Sequence, residues 1–222
     1  MLTGLYDWVV DFAAYMPSYL MATGVVAAIT VLTILLSWIC GLIIALAKQS
    51  RIRLFRSLAD FYVWFIRGTP TLIQVFIVYF GFPQLGMKLS PFVAGTLALG
   101  VSSGAYVAET IRSGLNAIPK GQMESSLALG MTRADAMLHI ILPQVFRIIL
   151  PSLTNEAISA LKNTSLLSTI SVMELTLYTQ LVIAATFRPF DFYIASAFLY
   201  LVMTTVLSRF ATWVERRQAI YR

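Results

Sequence analysis

From residue 12 to residue 47 the chain carries no charged side chain. A bilayer core of about 30 Å takes about 20 apolar residues in helix. This run is therefore long enough to cross a membrane with tilt or interfacial ends to spare, and a first span is expected at about residues 20–47. The charges before it, Asp7 and Asp11, are acidic, whereas a cleaved leader opens with Lys or Arg, so the run reads as a span and not as a signal peptide. Further spans are expected at about residues 61–82, which hold Arg67 and Pro70, and at 89–108, which are uncharged and rich in small residues such as Gly95, Gly100 and Gly104. Two more fall at about 148–170, with Pro151, Glu156 and Lys162, and at 192–208. The uncharged stretch 175–187 is too short to cross and reads as an interfacial or re-entrant helix. The expected fold is all-α: a polytopic membrane protein of five transmembrane helices in one domain over residues 1–222.

Lys and Arg in the loops set the orientation. Lys48, Arg51, Arg53 and Arg56 follow the first span; Arg112, Lys120, Arg133 and Arg147 lie between the third and fourth; Arg209, Arg216, Arg217 and Arg222 follow the fifth. Those twelve share one side, against Lys88 and Arg188 on the other. The N-terminus is expected outside and the C-terminus in the cytoplasm. The net charge of +6 is then a consequence of topology and calls for no nucleic acid. Only 12% of residues are charged and 59% are apolar, where soluble domains carry about 25% charged residues. One cysteine, Cys40, and one histidine, His139, exclude a disulfide framework and a cysteine-based zinc site and argue against a histidine-built metal site; no cofactor is expected. Trp8, Trp38, Trp64 and Trp213 read as lipid-facing or interfacial anchors, and Arg67 as a residue of the cytoplasmic interface.

The loop at about residues 109–144 reads as two short helices around a break. Met123, Leu127 and Ala128 are spaced for one apolar face, and Gly130 is placed to end that helix in a left-handed cap. Thr132 with Asp135 is a capping-box pattern opening the next helix, where Leu138, Ile141 and Leu142 form a stripe that Pro143 closes. A short helix held sharply under a membrane domain is a rigid peg; the plainer alternative is an amphipathic hairpin that only packs there.

A charge at the bilayer centre costs roughly 2.5–3.5 kcal/mol on insertion scales, so Glu156 and Lys162 need a reason. Ser152, Asn155, Glu156, Ser159, Lys162 and Asn163 fall within an arc of about 120° on a helix. Such a stripe lines a wet path; the alternatives are a bond from Glu156 to another span and snorkelling by Lys162. Glu156 with Asn155 suits an ammonium; Asn163, Thr164 and Ser165, with Lys162, suit a carboxylate. Pro151 is placed to break this helix and free backbone groups. The third span adds a strip at Ser102, Tyr106, Glu109 and Thr110, although Ser102, Ser103 and Gly104 also suit tight helix packing.

Glu124-Ser125-Ser126, Gly130, Ile140, Leu142 and Pro143 resemble the EAA loop of ABC importer permeases, with serines where alanines are usual. Arg67-Gly68-Thr69-Pro70, Lys162-Asn163-Thr164-Ser165-Leu166 and Arg188-Pro189-Phe190 resemble the polar amino-acid branch of that family, which serves histidine, arginine, glutamine, glutamate and cystine. The resemblance implies a type I ABC importer-like transmembrane domain in a bacterial inner membrane. Its first loop helix would be the coupling helix, with Glu124, Ala128 and Gly130 as the contact core. It also implies three partners: a pair of ATP-binding subunits, a second permease that is a copy or a paralogue, and an extracytoplasmic binding protein. The chain has no G-x-x-x-x-G-K-[ST] phosphate loop, so ATP hydrolysis belongs to a partner and the chain is not expected to be an enzyme. Where many relatives have Asp, this chain has Asn163; with Glu156 pulling the other way, the side chain of the substrate stays open. An intramembrane enzyme lacks its catalytic set here, since no aspartate lies within a span and the only histidine is in the loop. A self-sufficient channel would not need the peg.

Overall fold

The computed structural model describes the backbone of residues 2–219 and the side chains of residues 13–217; Asp7, Trp8, Asp11 and Arg222 lie outside the described side chains. The uncharged run is one helix, α1 (Leu2–Lys48). It is followed by α2 (Arg53–Gly68), α3 (Thr71–Phe76), α4 (Pro91–Ala117), α5 (Lys120–Ala128), α6 (Arg133–Asp135), α7 (Leu142–Asn163), α8 (Leu175–Thr186) and α9 (Pro189–Ala219). Among the described residues, four segments are long and apolar enough to cross a membrane: Ala13–Lys48, Pro91–Ala117, Arg133–Ile170 and Pro189–Arg217. Counting one bent pair as a single crossing makes five.

That bent pair is the expected second span. It is not straight: Arg53–Gly68 and Thr71–Leu85 meet at 112°. Pro70 is the cause, because it pushes the preceding residue out of the helical region, and Thr69 is extended at φ −120°, ψ 147°. The carbonyls freed by the break are met by Gln74, whose buried amide donates to Ile66 O at 2.8 Å and Thr69 O at 3.1 Å. Without such a partner, exposed carbonyls could not sit at membrane depth.

The third span is longer than expected. α4 starts at the Ser90 cap with Pro91 in its first turn and runs to Ala117, so Glu109 and Arg112 belong to the helix and the connecting loop begins near residue 118. Pro151 does not break the fourth span, and α7 continues through it to Asn163, then tightens into a 3₁₀ turn at Thr164–Ile170. Nor does Pro143 close a separate helix, since it lies in the first turn of α7. Between α6 and α7 the chain makes a π turn, Ala136–Ile141. The extra residue in that turn changes which side chains face inward: Ala136, Ile141, Val145 and Ile149 are buried, while Leu138 and Leu142 are exposed.

The stretch 175–187 is the short helix α8. Glu174 caps it, both carboxylate oxygens accepting backbone N–H bonds from Thr176 and Leu177, and Tyr200 on α9 donates a third bond to the same carboxylate at 2.9 Å. Trp38, Trp64 and Trp213 are exposed on the outer surface, as membrane anchors are.

α1 and α4 form the most extensive helix pair. The approach depends on missing side chains: a Cβ added to Gly104 would lie 2.7 Å from Cys40 Cβ, and Gly100 and Gly41 meet Leu36 and Val107 even more closely. Gly104→Ala is expected to lower the thermal midpoint of the detergent-solubilised protein by overpacking worth about 1–3 kcal/mol. Cys40→Gly should restore part of it, and Gly24→Ala, with nothing within 4 Å, should be near neutral. Equal midpoints for Gly104→Ala and Gly24→Ala would disprove the close-packing account.

Candidate functional site

Three helices wall a polar cleft of about 460 Å³. α2 contributes Arg67, α4 contributes Tyr106, Glu109, Thr110 and Arg112, and α7 contributes Ser152 and Glu156. The polar strip expected on the third span and the arc expected on the fourth therefore face each other. The Ser103 hydroxyl on α4 is a polar neighbour of the Glu156 carboxylate. Ser102 lies buried beside Thr71 at 3.4 Å, where the bent second span meets α4.

The arc does not stay together. Lys162 lines a separate groove of about 610 Å³ between α7 and α9, with Ile158, Thr204, Ser208, Arg209 and Arg216. Asn155 is exposed and Ser159 half-buried. Asn163 ends α7. Thr164 is fully buried with its hydroxyl on Leu161 O, and Ser165 donates to Lys162 O. The cause is rotational: residues 156 and 162 are about 600° apart on an α-helix, hence on different flanks.

Arg67, expected at the cytoplasmic interface, is exposed and also lines the cleft. It lies on the cleft wall with its guanidinium 5.4 Å from the Tyr106 ring centroid. A cation inside an apolar segment was the available signal. Glu109 was seen only as part of a strip, yet it is the centre of an ion cluster. Lys48 of α1 binds it at 2.6 Å, Arg112 holds its other oxygen at 2.7 and 3.0 Å, and Lys48 also reaches Asp60 of α2 at 3.1 Å. The cluster ties α1, α2 and α4 at one end of the bundle. Fully buried Glu174 was missed altogether; it lies between two apolar segments, with no pattern to distinguish it from a surface cap.

The loop matches its reading in part. α5 ends in a Schellman motif: Gly130 has φ +86°, its N–H reaches Leu127 O, and Met131 N–H reaches Ser126 O. Thr132 caps the following turn, accepting from Asp135 N–H at 3.1 Å and donating to its carboxylate at 2.6 Å. The faces of α5 differ from expectation. Glu124, Ser125, Ala128 and Gly130 are exposed, and Ser126 is buried, its hydroxyl satisfied by Gln122 O. Met123 packs against the apolar cluster of Val107, Ile141, Val145, Ile149 and Leu153, and the helix is seated mainly on the π turn Ala136–Ile141. Leu129 is 84% exposed beside Gly130, and Pro143 is exposed.

Residues 37–220 match the family model described as the binding-protein-dependent transport system inner membrane component. The chain belongs to that family. Among relatives in this permease family, the L-cystine transport system permease protein TcyB of Bacillus subtilis (strain 168) is 39% identical over 193 residues, covering 85% of this chain and 81% of its own length. The arginine transport system permease protein ArtQ of the same organism is 36% identical over 211 residues, covering 93% and 96%. A crystal structure of an amino acid ABC transporter with histidines superposes with a TM-score of 0.88 at 39% identity, covering 94% of this chain and 97% of that one. An inward-facing structure of the MetNI methionine ABC transporter gives 0.78 at 17% identity, covering 92% and 98%, a likeness of fold.

The ion cluster is expected to stabilise unequally. Glu109→Gln strands two cations and should cost about 1–3 kcal/mol. Asp60→Asn, on a side chain 54% exposed, should cost under about 1 kcal/mol. Thermal denaturation of the purified complex compares the two; a larger loss for Asp60→Asn would reverse the assignment.

Proposed function

We propose that the chain is the membrane-spanning subunit of an ATP-driven importer for polar amino acids, working by alternating access in a bacterial inner membrane. It is a single permease domain over residues 1–222 with the N-terminus outside and the end bearing α5 in the cytoplasm. The positive charge of Lys48, Arg112 and Arg133 on that side supports the orientation. Its partners are a dimer of ATP-binding subunits beneath α5, a second permease (a copy or a paralogue), an extracytoplasmic amino-acid-binding protein and membrane lipid. Hydrolysis occurs in the ATP-binding subunits.

The observation that carries this reading is the seating of α5. Its outer face, Glu124, Ser125, Ala128 and Gly130, is open for a partner. Its inner face packs on the π turn Ala136–Ile141 and, through Met123, on the apolar cluster that Val107 of α4 shares with Val145 and Ile149 of α7; α4 and α7 are two walls of the polar cleft. Movement imposed on α5 therefore reaches the cleft walls through the π turn and that shared cluster. Within the cleft, Glu156 serves a substrate ammonium, with Tyr106, Ser102 and Asn155 near the path. Lys162, Asn163, Thr164 and Ser165 lie away from it, so Lys162 acts on the α9 side. Ser126 and Pro143 support the peg and do not belong to its outer face.

Two experiments test the reading. Gly130→Val puts a β-branched side chain at positive φ, costing roughly 1–2 kcal/mol in a turn with no steric clash nearby. The expected result is assembly at normal abundance with ATP hydrolysis uncoupled from uptake; normal uptake per complex would defeat the coupling role. Glu156→Gln keeps shape and removes charge, and uptake per assembled complex is expected to fall at least tenfold. Unchanged uptake per complex would take Glu156 off the path.

A further inference from the structure

We infer that Arg67 is the carboxylate anchor of the cleft, facing Glu156 across it, and that the transported amino acid has an uncharged side chain. The inference rests on the cleft being the substrate path.

Four charged groups line the cleft: Arg67, Glu109, Arg112 and Glu156. Two of them are already paired. Glu109 accepts from Lys48 at 2.6 Å and from both Nε and Nη2 of Arg112. The remaining two are not. Arg67, in the last turn of α2, has the face of Tyr106 as its neighbour and no carboxylate within ion-pair distance among the described residues. Glu156 has the Ser103 hydroxyl and no cation. The cleft thus offers one spare positive charge on α2 and one spare negative charge on α7, on different walls and unpaired with each other.

Unpaired charges in a membrane protein are costly and mark pathways. One of each sign, held apart, is the complement of a zwitterion. Arg67 lies 5.4 Å from the Tyr106 ring centroid, and a guanidinium carries a planar fork of N–H donors that can receive a carboxylate at two points. The cleft volume of about 460 Å³ lies within the range of about 300–1,000 Å³ that holds small molecules. Once the ammonium and carboxylate are bound, no free charge is left to receive a charged side chain. What remains on the walls is hydroxyl: Thr110, Ser113 and Ser152, which suit an uncharged polar group. The relatives' names include glutamine, cystine and arginine, so they do not by themselves fix the charge of the side chain.

The test uses the solubilised permease–ATPase complex without its binding protein, so that affinity belongs to the membrane subunit. Probes are L-glutamine, its decarboxylated analogue 4-aminobutanamide, L-arginine and L-glutamate, with size-exclusion profiles confirming assembly of each variant. Wild type is expected to bind L-glutamine at least tenfold more tightly than 4-aminobutanamide and more tightly than either charged amino acid. Arg67→Gln should erase the tenfold preference for the carboxylate, and Arg67→Lys, which keeps charge without the fork, should retain part of it. Glu156→Gln should weaken both glutamine and its analogue. A full preference kept by Arg67→Gln overturns the anchor, and tighter binding of L-arginine or L-glutamate overturns the uncharged side chain. Should Glu156→Gln alter neither ligand, the failure lies with the cleft as substrate path and the inference falls with it.

Discussion

Helix against helix inside a membrane gains little from hydrophobicity, because lipid is as apolar as the side chains it replaces. Close contact must supply the difference, and in this chain α4 makes it possible. Gly100 and Gly104 admit α1, Gly95 admits Leu167 of the 3₁₀ turn, and Gly114 admits Ile149 of α7. One helix without side chains at four points thus gathers three neighbours. α4 turns its polar residues, Tyr106, Glu109 and Thr110, toward the cleft that α2 and α7 also wall.

Long uncharged runs were legible from the sequence because helix crossing depends on composition summed over about 20 residues. The caps at Gly130 and Thr132 were legible because each is a local hydrogen-bond problem with few solutions. Departures arise where a proline acts through context. Pro70 breaks its segment because Gln74 is there to serve the exposed carbonyls; Pro151 breaks nothing. The residue type is the same, and the difference lies in neighbours that no periodicity reveals.

The candidate site was half legible. Glu156 and the Tyr106 strip were marked by polarity within apolar segments, and the structure brings them to one cleft. Assigning Lys162 to the same cleft required a wide arc to count as one face, and packing of α9 against α7 divides that arc. Arg67 was read as a residue of the cytoplasmic interface, without the neighbour that the structure gives it. The bend follows directly after the last turn of α2, and there the Arg67 guanidinium lies 5.4 Å from the Tyr106 ring of α4. Local rules gave the chemistry of each residue, and only the bend gave its company.

The π turn at Ala136–Ile141 has a consequence for how such a loop varies in length. Inward-facing residues there are spaced five, four and four apart, at 136, 141, 145 and 149, so the wide turn absorbs one surplus residue before the membrane helix begins. Removing a residue from inside it would leave an ordinary α-helical four-residue interval, with Val145 and Ile149 still facing α4. The segment between the peg and the membrane helix is therefore an adjustable spacer: chain can be gained or lost there, altering the reach of the peg, without rotating the wall of the cleft above it.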